Sequence, residues 1–139
     1  MCIRDSYNTA VGTSALKVTV AGYNTAVGHD ALSSNTTGQF NTALGDNALL
    51  SATTADKNTA LGRSAMTNTT TGENNTCVGQ NAGANITTTD YNTVVGSDAL
   101  KTATTTTKNT AIGYEALEAT TTGSYNLSLI HISEPTRPY

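Results

Sequence analysis

"YNTAVGHDAL", residues Tyr23–Leu32, decides the fold, because the chain writes variants of it seven times. The other copies are YNTAVGTSAL from Tyr7, FNTALGDNAL from Phe40, KNTALGRSAM from Lys57, NNTCVGQNAG from Asn74, YNTVVGSDAL from Tyr91 and KNTAIGYEAL from Lys108. The leading Asn falls at Asn8, Asn24, Asn41, Asn58, Asn75, Asn92 and Asn109, a step of 16 residues once and of 17 thereafter. An eighth unit opens at Tyr125-Asn126 and breaks off. Self-similarity at a short fixed period is the mark of a repeat architecture in which each unit buries its apolar surface only against its neighbours.

Strictness differs by position. Asn and the Thr after it are kept in all seven units, as is the Gly at Gly12, Gly28, Gly45, Gly62, Gly79, Gly96 and Gly113. The residue before that Gly is always a branched aliphatic: Val11, Val27, Leu44, Leu61, Val78, Val95, Ile112. The one before it is Ala except at Cys77 and Val94. Two variable residues follow the Gly, then Ala, then Leu16, Leu32, Leu49, Met66, Gly83, Leu100 or Leu117. A Thr-rich connector, often ending in Gly, closes most units.

"NTAVG" reads as a short strand. Strand side chains alternate, so Thr9 and Val11 share one face while Asn8, Ala10 and Gly12 share the other. The aliphatic column from Val11 to Ile112 is expected to line the core together with the column from Leu16 to Leu117. Ala15-Leu16 and its equivalents are expected to start a second short strand. The small-residue face of Ala10 is a candidate for packing chain on chain, because small side chains let backbones approach. A fixed Gly inside the apolar segment and Thr-rich flanks are poor helix material. The expected fold is therefore all-β: a parallel β-solenoid of about seven coils, a rod on the order of 30–35 Å at the usual strand spacing. Stacking turns each strict position into a ladder, with the Asn column hydrogen-bonding along the rod and the Gly column allowing a backbone conformation or approach that a Cβ would block. Coil five, with Cys77 and Gly83, is expected to have the thinnest core, and Cys77 to behave as a small buried hydrophobe.

Composition narrows the function. Only 12% of residues are charged and the net charge is −3, which argues against a nucleic-acid or anionic-membrane surface. No apolar stretch approaches the length of a membrane span. Cys2 and Cys77 fit no zinc or redox spacing. His29 sits in a variable turn pair without evident triad or metal partners. Asp30, Asp46, Asp98 and Glu115 fall in the same variable pair of different coils, a loose acidic stripe best read as a solvated face. The sequence carries no phosphate-binding or dinucleotide fingerprint and no calcium β-roll signature. No catalytic, metal or cofactor-binding residue is expected, and no cofactor. A Thr-rich ice-binding solenoid is an alternative, weakened by connectors that lack a strict T-x-T row; a polysaccharide-binding or polysaccharide-cleaving β-helix is another, lacking paired carboxylates.

The stacked "NTAxGxxAL" units, over roughly residues 7–126, resemble the head repeats of trimeric autotransporter adhesins and related repeats of phage and bacterial tail fibres. That resemblance implies a left-handed parallel β-roll, a homotrimer, and an extended non-catalytic adhesin or fibre segment. It also implies an extracellular or virion-surface location. Its partners would be a host-cell receptor, glycan or matrix component engaged through other regions. The period departs from the family, whose heads commonly use shorter coils.

Outside the repeat the sequence changes character. Back-translating Met1–Ser6 as ATG TGT ATA AGA GAC AG, plus one base, gives a reverse complement that encodes Leu127–Ile132 without a mismatch. Protein selection does not generate such an inverted repeat; the end of a transposase-based sequencing-library adapter does. Residues 1–6 and 127–139 are accordingly expected to be adapter-derived, flanking a solenoid at 7–126 that is a fragment of a longer protein. The apolar run Leu127–Ile132 is still able to continue the stack as one more strand.

Overall fold

In each complete repeat the strand is confined to the three residues before the fixed Gly. In the computed structural model, which describes residues 7–129, the strands are β1 (Thr9–Val11), β2 (Thr25–Val27), β3 (Thr42–Leu44), β4 (Thr59–Leu61), β5 (Thr76–Val78), β6 (Thr93–Val95), β7 (Thr110–Ile112) and β8 (Leu127–Ser128). They form one parallel sheet in chain order. The register sets Thr on Thr and the small residue on the small residue, as in Thr25↔Thr42 and Ala26↔Ala43. The chain is thus an all-β solenoid of about seven turns, each of about 17 residues. Strand β8 carries the sheet two residues past Asn126, pairing Thr110 with Leu127. The terminal residues 1–6 and the stretch after Leu129 lie outside the described residues.

The expected second strand at Ala-Leu does not form. The backbone turns there instead, with Leu32 at φ 51° and its equivalents from Leu16 to Leu117 at 48–58°. Two further columns share this left-handed conformation: the residue before Asn, from Tyr7 to Tyr125, and the second residue after Gly, from Ser14 to Glu115. Among the described residues, 21 non-glycine positions have positive φ, and none is Thr, Val or Ile. In a chain this rich in Thr the exclusion is physical. A β-branched side chain crowds the backbone in that region, whereas Asn, Asp and other residues with a single heavy atom on Cβ are less hindered there. Three left-handed corners per coil bend the chain back onto itself within 17 residues.

The Gly column has a different requirement. Gly45 sits at φ 138°, and a Cβ there would lie 2.5 Å from the carbonyl oxygen of Gly62 one coil on. Both the conformation and the approach of successive backbones demand glycine.

The core corrects the expected orientation of the strand. Ala26, Ala43, Ala60, Cys77, Val94 and Ala111 are fully buried. The aliphatic column expected in the core points outward: Val11 is 57% exposed, Leu44 44%, Leu61 39%, and Val95 and Ile112 36% each, while Val27 and Val78 are half-buried. The small-residue face is therefore the inside of the solenoid and not a chain-to-chain surface. Asn explains the direction. It shares the Ala face, and its amide must reach across the coil to be satisfied. The space over Ala is then filled by the second aliphatic column, as expected: Leu32, Leu49, Met66 and Leu100 are fully buried, Leu16 nearly so, and Leu117 packs partly buried against them.

Coil five is compensated, not thin. Gly83 lacks the corner Leu, but Ile86 on the connector is fully buried and occupies the space. A Cβ at Gly83 would meet Ile86 Cδ1 at 2.7 Å and Cys77 Sγ at 2.8 Å. Other coils place Asn35, Ala52, Thr69 or Ala103 at the Ile86 position. Cys77 is a buried core residue as expected, and burial alone pushes its thiol pKa far up, which removes its nucleophilic form.

Candidate functional site: the outward strand face and the connector face

The Asn column supplies rigidity. Asn58 donates its backbone N–H (3.0 Å) and its side-chain Nδ2 (3.2 Å) to Oδ1 of Asn41. Its Nδ2 also donates across the coil to the Gly72 carbonyl at 2.7 Å. Its own Oδ1 then accepts both donors of Asn75, at 2.9 and 3.2 Å. Each amide is satisfied, and the same pattern recurs at Asn41, Asn75, Asn92 and Asn109. These side chains are at most 1% exposed, so every missing bond would leave a buried polar group unpaired. The ladder expected from the repeat is present, and it ties each coil to the next in register.

On the outside of β1–β7 two columns lie in register. The Thr column, from Thr9 to Thr93, is exposed, with Thr110 half-buried. The aliphatic column from Val11 to Ile112 runs parallel to it, two residues along each strand. Beside the Thr column stands the corner column. There Tyr7, Tyr23 and Phe40 stack with ring centroids 5.0 Å apart and planes within 15°. Farther along, Lys108 lies 5.1 Å from the Tyr125 ring centroid and donates to its hydroxyl at 3.1 Å. The result is one long, largely uncharged strand face, edged by a corner column of aromatic and lysine side chains, on a rod whose interior is already filled.

The connectors form a second surface that the spelling of the sequence conceals. Each connector from coil two onward carries two adjacent threonines: Thr36-Thr37, Thr53-Thr54, Thr70-Thr71, Thr87-Thr88, Thr104-Thr105 and Thr121-Thr122. Variable flanks hide this strict pair. From Thr36 to Thr104, the first hydroxyl of each pair donates to the carbonyl of the next coil's first Thr, at 2.9 Å for Thr36→Thr53 and up to 3.4 Å for Thr87→Thr104. The second Thr of each pair is exposed. The row is a T-T pair and not a T-x-T row.

The charged turn residues meet only in small, separate clusters. His29 Nδ1 lies 3.2 Å from Asp46 Oδ1 and 3.3 Å from Asp30 Oδ2, on a side chain 59% exposed. Asp98 accepts from Asn81 Nδ2 at 3.0 Å and pairs with Lys101 at 2.9 Å. The Asn81 bond first, and Lys101 with it, hold the Asp98 carboxyl below the usual range. Asp98 and Glu115 sit in adjacent coils, but Asp30 is separated from them by Asn47, Ser64 and Asn81, so the acidic stripe is interrupted. Among the described residues no group of three or more His, Cys, Asp or Glu is placed to hold a metal ion. No protein-family model, curated protein or solved structure matches the chain.

Proposed function

We propose that this segment is a structural and adhesive fibre element, non-catalytic, that spaces or presents a receptor-binding region on a cell surface or phage tail, and that it works as a homotrimer. The outward strand face carries the proposal. A single chain leaves most of a column of aliphatics in water, Val11, Leu44, Leu61, Val95 and Ile112, flanked by a corner column in which Tyr7, Tyr23, Phe40, Tyr91 and Tyr125 are exposed, although its core is complete without them. Contiguous exposed apolar surface of this kind marks an association site. The face runs the whole length of the sheet, so copies aligned along the rod axis cover it best. The resemblance to adhesin and tail-fibre repeats supports the trimer, the left-handed coil and the extracellular or virion-surface setting. Sedimentation of the chain at micromolar concentration is expected to give three times its 14.3 kDa mass. Leu44→Glu with Leu61→Glu is expected to give folded monomers. A wild-type chain that sediments as a monomer overturns the trimer.

A second reading, ice binding, is favoured by the paired Thr columns of the connector face. Their hydroxyls repeat at the strand spacing of about 4.8 Å on a scaffold held rigid by the Asn ladder. Measurable thermal hysteresis, abolished by Thr71→Lys with Thr88→Lys, supports this reading; its absence in the wild-type chain removes it.

A further inference from the structure

We draw no further inference here: the strongest candidate, the exposed corner column of aromatic and lysine side chains from Tyr7 to Tyr125, edges the strand face already described, and nothing in the structure shows what covers it.

Discussion

Ile86→Ala is the substitution that most directly tests how the core is filled. Ile86 is fully buried and occupies the place left by the missing corner Leu at Gly83. Truncation of a buried Ile to Ala costs about 2–5 kcal/mol, toward the upper end where the site cannot collapse. Collapse is restricted here, because Asn ladders hold the coils above and below. Gly83→Leu alone is expected to cost about 1–3 kcal/mol by overpacking against Ile86 and Cys77. Combining Cys77→Ala, Gly83→Leu and Ile86→Ala rebuilds the set used in coil three, Ala43, Leu49 and Ala52. The two sets carry the same number of side-chain heavy atoms. The backbone already suits the change, since Gly83 has φ 58° and the corner Leu residues 48–55°. The triple variant is therefore expected to regain most of the loss. A deficit of about 1–2 kcal/mol remains for placing Leu in the left-handed region. Urea unfolding followed by circular dichroism, run on the single variants and the triple, measures the coupling. A triple variant destabilised by the sum of the single changes would refute the account of compensation.

Three further outcomes follow from the same geometry. Asn58→Ala removes the acceptor for two donors of Asn75 and the donor to the Gly72 carbonyl. At about 1–3 kcal/mol for each buried unpaired group, the urea midpoint should fall by an amount equivalent to more than about 3 kcal/mol, and a smaller loss would mean that the ladder re-pairs. Ser64→Thr adds one methyl at φ 56° and is expected to destabilise by about 1 kcal/mol. The same residue at Gln80, in the column that already holds Thr13, should be neutral within about 0.5 kcal/mol, so equal melting temperatures for the two would sink the exclusion argument. The Asp98 carboxyl is held low in the folded state, so its contribution is present above the unfolded Asp range and lost as pH falls through the folded value. Melting curves from about pH 6 to about pH 2 should therefore show a smaller acid loss in Asp98→Asn than in the wild-type chain.

The fold is legible in the sequence because strictness itself is a physical signal. Seven units at a near-constant step, with an invariant Asn, an invariant Gly and no helical periodicity, leave few alternatives to a stacked coil. Which side of the strand faces inward is less legible. Hydrophobicity alone draws Val11 and Leu44 to the core, yet Asn58 outranks them. An invariant amide with two donors and an acceptor needs buried partners, and it takes its face, the Ala face, inside with it. The turn at Leu32 is hidden because Ala-Leu is ordinary strand or helix material; only comparison across coils reveals that Leu, Met and Gly alternate there while Val and Ile never appear. The compensation at Ile86 lies in the connector, outside the repeated unit that holds Cys77 and Gly83. It reads as a mere connector variant until the space around Gly83 is seen.

The Asn ladder also sets how such a rod changes length. Each coil asks of its neighbour the same acceptor, the same glycine and the same strand register. Removing or adding one whole coil therefore joins ends that already match, and leaves every other coil with its partners unchanged. A gain or loss of 17 residues alters the rod by about one strand spacing, roughly 4.8 Å; the one 16-residue step, from Asn8 to Asn24, keeps the same strand register because the connector after Leu16 absorbs the difference. Length in this architecture is a count, and unequal exchange between repeats can alter that count without a fold having to be found again.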